Sequence, residues 1–238
     1  MLGFGVFQVP AYEDAKKAVL TALQTGYRLI DTAQAYMNEK AVGDAIKESG
    51  IAREEIFITT KLWIQDFSYD GAIKATERSL EQLGVGYIDL MLLHQPMGDY
   101  MGAWKGLEQL YQHGKLKAIG MANCYPHVLA DLCETFEIKP MINQVEMHPF
   151  FQQKQNIDTM NQYHVVPEAW APFNEGKNGF FTNPVLTEIG KQYGKSAAQV
   201  ALRWNIQRGV VVIPKSVHAD RIKQNFDIFD FTLSPADM

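Results

Sequence analysis

Cysteine is nearly missing from this chain of 238 residues: only Cys124 and Cys133 occur, too few for a disulfide framework and not spaced as C-x-x-C. Both are expected to be free, buried thiols. Metal-ligand patterns are missing as well, since there is no HExxH and the six histidines are scattered without a second His or Cys at ligand spacing. No metal is expected. An excess of basic charge is missing too: Lys and Arg number 22 against 27 Asp and Glu, a formal net charge of -5, which gives no field to hold a nucleic-acid backbone or an anionic membrane surface. No apolar run approaches the roughly 18 residues of a membrane span. The opening MLGFGVFQVP lacks a charged n-region and no N-x-S/T acceptor is present. A cytoplasmic protein is expected, with no nucleic acid, no membrane and no obligate protein partner.

What is present is an alternation. Short stretches rich in β-branched residues fall at Phe4–Phe7, Arg28–Thr32, Ile56–Lys61, Tyr87–His94, Leu116–Asn123, Pro140–Glu146, Val165–Trp170 and Val210–Lys215. Longer stretches at helical spacing lie between them. In the first, Ala15, Ala18, Val19, Ala22 and Leu23 form one apolar face, with Glu13 and Asp14 in the first turn and Gly26 after the last. Asn38 and Gly50 bracket the second helix, and Ser68 and Gly84 the third. Further helices are expected around Trp104–Tyr111, His127–Phe136, Lys154–Tyr163, Pro184–Arg208 with a break near Gly194, and Asp220–Phe229. No Pro/Gly/Ser-rich linker interrupts the pattern. Eight strands and eight crossover helices predict a single-domain α/β protein, a (β/α)8 TIM barrel spanning residues 1–238. The rival, a doubly wound open sheet, needs a Gly-rich turn after its first strand. Here Gly3-Phe4-Gly5 sits before or within that strand, and Gln8 stands where the third glycine belongs.

A barrel of this kind does its chemistry at the C-terminal ends of the strands. The apolar runs end in Asp31, Lys61, His94, Asn123, Gln144, Trp170 and Lys215. Taken singly, Asp31 reads as a loop acid, Lys61 as a surface amine and His94 as a core histidine. Coming from neighbouring strands, the three can tune one another's protonation. Tyr36, five residues beyond Asp31, is close enough to join them. An adjacent ammonium is expected to lower its phenol from the ordinary value of about 10, which would make Tyr36 a usable proton donor.

The motifs GFGVFQVP, LIDTAQAYMNEKAVGDAI, ITTKLW, YIDLMLLHQP, IGMANCYPHVL, INQVEMHPFF, EAWAPF and VIPKSVHADRIKQN resemble the aldo-keto reductases, most of all the bacterial 2,5-diketogluconate reductase type, over nearly the whole chain. The resemblance implies NADPH-dependent reduction of an aldehyde or ketone of a small polar substrate, a diketo sugar acid among the candidates. It implies a catalytic set of Asp31, Tyr36, Lys61 and His94, with Tyr36 as general acid and His94 orienting the carbonyl. It places the nicotinamide amide at Asn123 and Gln144 and its ring on Trp170. Ala122 stands where the family has serine, and Trp170 where it has tyrosine, so one hydrogen bond is expected to be lost and a larger stacking face gained. Around the adenosine 2′-phosphate it places Lys215, Ser216 and Arg221, with Val217 and Gln224 alongside and Asn225 at adenine. Two cations and a hydroxyl suit a dianion and favour NADPH over NADH.

Phe7 and Trp63 at strand ends, and Gln95 directly after His94, are expected to line the substrate pocket. Gln95 offers an amide, which favours small polar carbonyl compounds. His148 before Pro149 reads as a turn residue, and His113 and His164 as helix-end residues. The family usually continues past the equivalent of Met238 with a further helix and a C-terminal loop, and that wall is expected to be missing here. Two other functions fit parts of the pattern: an NADPH-binding sensor barrel with little turnover, and an aldolase forming a Schiff base at Lys61.

Overall fold

Strands buried on both faces carry near-continuous apolar runs, and such runs joined by crossover helices mark a parallel sheet. In the computed structural model, which describes residues 1–238, the strands are β1 (Phe4–Gly5), β2 (Leu29–Asp31), β3 (Phe57–Leu62), β4 (Ile88–Leu93), β5 (Leu116–Ala122), β6 (Ile142–Glu146), β7 (Val166–Trp170) and β8 (Val211–Val212). They form one sheet in chain order, every neighbouring pair parallel. The sheet closes on itself: Gly3 N–H donates to Val212 O at 2.8 Å, Gly5 N–H to Pro214 O at 3.0 Å and Val212 N–H to Met1 O at 3.1 Å. The expected barrel is the observed one. β1 and β8 are shorter than the apolar runs Phe4–Phe7 and Val210–Lys215, because the ends of both runs carry loop backbone at the mouth.

Strand parity sorts the side chains. On β4, Met91 and Leu93 face outward into a 43-residue apolar cluster shared with the helices, whereas Leu90 and Leu92 pack with Ala122, Ala118, Ile142 and Phe57 in a separate cluster inside the barrel. The interior is tight. A Cβ on Gly120 of β5 would sit 2.5 Å from Ile142 O and 2.9 Å from Leu92 Cδ2, so only glycine fits there.

The helices are α1 (Tyr12–Thr25), α2 (Glu39–Ser49), α3 (Tyr69–Leu83), α4 (Tyr100–Gln112), α5 (Pro126–Thr135), α6 (Lys154–Tyr163), α7 (Pro184–Tyr193), α8 (Ala197–Gln207) and α9 (Ala219–Phe226). The buried face of α1 is Ala15, Ala18, Val19, Ala22 and Leu23, the set that its periodicity predicts. The stretch Pro184–Arg208 is two helices, broken where Gly194 takes a left-handed C-cap and Ser196 opens a capping box with Gln199. Ser68 caps α3 by accepting from Gly71 N–H. Asn38 does not cap α2. Its amide donates instead to Val6 O and Val9 O and accepts from the Thr32 hydroxyl, lashing the first two strand-to-helix loops together. His113 and His164 occupy helix C-caps, and His148 is buried in a bridge with Phe151. Both cysteines are free and buried, and burial pushes the Cys124 thiol up to about 12. No helix is long and apolar enough to cross a membrane.

Candidate active site

The register of β2, β3 and β4 brings the ends of three strands together, and with them Asp31, Lys61 and His94. Lys61 is wholly buried. Its Nζ donates to Asp31 Oδ1 at 2.6 Å, to Thr32 O at 2.9 Å and to the Tyr36 hydroxyl oxygen at 3.3 Å. An ammonium has three protons and all three are used. The Tyr36 oxygen is therefore an acceptor toward Lys61, and its own proton is left for the cavity that Tyr36 lines. The His94 ring lies edge-on to Tyr36, centroids 5.7 Å apart, and edge-on to Trp63 at 5.0 Å.

Electrostatics follow from burial. Burial pulls the Lys61 ammonium down, but Asp31 and Tyr36 outweigh it and hold it above the ordinary lysine value. Burial pushes the Asp31 carboxyl up, against the opposing pull of Lys61. Burial also pushes the Tyr36 phenol up; Lys61 opposes this without overcoming it. The net direction for Tyr36 is thus the reverse of the lowering expected from its neighbour alone, because desolvation, aided by the Asp31 charge, outweighs a single hydrogen-bonded cation. Burial, aided by the Lys61 charge, drives His94 down to about 3, so the imidazole is neutral, and its Nδ1 is buried without a partner.

The cavity has a volume of about 480 Å³. Asp31, Tyr36, His94, Asn123, Gln144, Trp170 and Lys215 all border it, as do Phe7, Trp63 and Gln95. Asn123 adopts the left-handed conformation (φ 57°), which Asn tolerates. Its Nδ2 donates to His94 O at 3.0 Å and its Oδ1 accepts from the Trp170 indole N–H at 2.8 Å. Gln34 holds the Trp63 backbone, its Oε1 accepting from Trp63 N–H at 3.2 Å. Past β8, Lys215, Val217, Arg221 and Gln224 are exposed, while Ser216 and Asn225 are buried. Neither Lys215 nor Arg221 has an ion-pair partner.

Several lining residues escaped the sequence. Phe173, Glu175 and Phe181 reach the cavity from the irregular segment between β7 and α7. They make its far wall aromatic and acidic, where Gln95 alone suggests a polar mouth. Glu168 was also missed. It is wholly buried below the cavity, its Oε1 accepting from Gln144 Nε2 at 3.1 Å, and the same nitrogen donates to Asp31 Oδ2 at 2.8 Å. The signal available was parity: in Val166-Pro167-Glu168-Ala169-Trp170, Glu168 shares the inward face of Trp170.

A model of the group described as "Aldo/keto reductase family" matches residues 1–238. The chain is 49% identical over 237 residues to a glyoxal reductase of Bacillus subtilis (strain 168), covering 99% of this chain and 85% of that protein. It is 43% identical over 236 residues to the methylglyoxal reductase DkgA of Escherichia coli (strain K12), covering 98% and 84% respectively. An aldo-keto reductase of Bombyx mori, solved in complex with NADP, superposes with a TM-score of 0.94 at 33% identity, covering 99% of this chain and 86% of that one.

Proposed function

The chain belongs to the aldo/keto reductase family, and from that premise we propose that it reduces the carbonyl group of a small polar aldehyde or ketone with NADPH, Tyr36 acting as general acid. The observation that carries this is the Tyr36 hydroxyl: it accepts from a buried ammonium at 3.3 Å, which leaves its proton free for the cavity it lines with a neutral imidazole. When bound, NADPH supplies the hydride. The residues present suit it. Asn123, Gln144 and Trp170 offer an amide N–H, an amide oxygen and an aromatic face in one cavity. Lys215 borders the same cavity and, with Arg221, is an unpaired exposed cation suited to a phosphate dianion. Ser216, Val217, Gln224 and Asn225 complete that end.

Tyr36 gives its proton to the carbonyl oxygen as negative charge develops there. Lys61 remains an ammonium and stabilises the phenolate left behind, and Asp31 holds Lys61 in place. A neutral His94 can hydrogen-bond the carbonyl without bringing a competing charge. Lys61 is unsuited to a Schiff base, because it is cationic, wholly buried, triply bonded and off the cavity wall. Glyoxal and methylglyoxal, the substrates in the names of two relatives, suit this mouth: they are small and polar, and the Gln95 amide borders it. A cofactor-oxidation assay over glyoxal, methylglyoxal, a diketo sugar acid and alkyl aldehydes tests the proposal. Turnover of the short dicarbonyls with the highest kcat/KM is expected. Absence of carbonyl-dependent NADPH oxidation across the panel would overturn it.

A further inference from the structure

Glu168 on β7 is wholly buried and does not border the cavity. Its carboxyl has one hydrogen-bond partner, the Gln144 amide on β6, whose nitrogen donates both to Glu168 Oε1 at 3.1 Å and to Asp31 Oδ2 at 2.8 Å. A primary amide has two N–H donors, so both are committed to carboxyl groups below. Gln144 borders the cavity, and its oxygen is what remains to face a ligand. Rotating the amide by half a turn would set that oxygen against Asp31 Oδ2, leave this buried acceptor unpaired at a cost of about 1–3 kcal/mol, and take from Glu168 Oε1 the N–H it now accepts.

We propose that Glu168 is a positioning residue, which together with Asp31 fixes the Gln144 amide so that its oxygen, an acceptor, is presented to an amide N–H of the ligand. This rests on the proposed NADPH site, whose nicotinamide carries a primary carboxamide. The groups around Glu168 are Asp31 from β2, Lys61 from β3, Gln144 from β6 and the Met1 amine ahead of β1. Burial, aided by the Asp31 charge, pushes the Glu168 carboxyl up to about 8. As a neutral acid it still accepts through Oε1, and it adds no second charge beside Asp31. Its other oxygen, Oε2, is buried without a partner, which a neutral acid bears at lower cost than a carboxylate.

The test compares the parent with Glu168→Gln and Glu168→Leu by fluorescence titration of two ligands: NADPH, and 2′-phospho-ADP-ribose, which lacks the nicotinamide. Glutamine keeps an accepting oxygen, so its NADPH affinity should stay within about twofold of the parent. Leucine removes that oxygen and should weaken NADPH about tenfold, the worth of one ordinary hydrogen bond. 2′-Phospho-ADP-ribose should bind all three proteins alike. Equal weakening of both ligands by leucine, an unchanged NADPH affinity in the folded leucine variant, or a loss in the glutamine variant as large as in leucine would each overturn the proposal. A parent that binds 2′-phospho-ADP-ribose but gains nothing from the nicotinamide overturns the proposal while sparing the phosphate end of the site. A parent that binds neither overturns the proposed function itself. Hydrogen exchange in the parent needs no variant that must fold: both Gln144 side-chain amide protons should be protected, and fast exchange of either would overturn the proposal.

Discussion

The two ends of the site are built on opposite electrostatic principles. At the barrel mouth, Asp31 and Lys61 are 2% and 0% exposed and meet at 2.6 Å, with every ammonium proton assigned before any ligand arrives. Beyond β8, Lys215 and Arg221 stand exposed and unpaired. The buried pair carries its desolvation cost in the fold, in exchange for a fixed geometry around Tyr36. The exposed cations cost the fold little. They are free to meet an anion, as the proposed phosphate site requires, and salt screens them. Damage at the mouth should therefore appear in stability and chemistry, and damage beyond β8 in affinity alone.

The largest effect expected is that of Asp31→Asn, which leaves a buried ammonium without its counter-charge. Urea unfolding should show a loss of about 3–5 kcal/mol. A loss below about 1 kcal/mol would mean that the pair is as cheap as a surface one, and the contrast would collapse. Tyr36→Phe should separate chemistry from binding: single-turnover NADPH oxidation should fall about 10²–10⁴-fold, with NADPH affinity nearly unchanged. A variant within threefold of the parent would remove Tyr36 from proton transfer.

Arg221→Ala should leave urea unfolding unchanged and reduce the preference for NADPH over NADH by about tenfold, given roughly 1.5–3 kcal/mol for a charge-assisted bond discounted for exposure. The loss should shrink as salt rises, and an equal loss for NADH would misplace the phosphate site. The smallest effect is one of pH. With its carboxyl at about 8 in the fold against an ordinary 4.5, Glu168 binds a proton in the native state that the unfolded chain has released. Its contribution is present in full below about 4.5 and is lost as pH rises toward 8. Melting of the apo parent should fall relative to Glu168→Gln across that window and run parallel to it above. Parallel curves throughout would place Glu168 among ordinary carboxylates.

Much of this site could be read along the chain because barrel strands announce their ends. An apolar run closing on Asp31, Lys61 or His94 delivers that residue to the rim whatever the helices do. The α1 face and the break at Gly194 were legible for the same reason, since local periodicity and capping decide them. Asn38 shows where this stops: its place ahead of α2 suggests a cap, yet Val6 and Val9 from another loop claim its amide. The bond between Gln144 and Asp31 spans 113 residues of sequence, and no window along the chain contains it.

The alternation of strand and helix, the barrel and the identity of the groups at its mouth were thus determined by the sequence alone, because they depend on hydrophobic period and on residue type at strand ends. Tertiary structure alone decided how those groups are charged and which way they point. Desolvation depends on everything packed around a side chain, and so Tyr36 is pushed up despite its ammonium neighbour, His94 is neutral, and Glu168 is available to hold an amide from beneath.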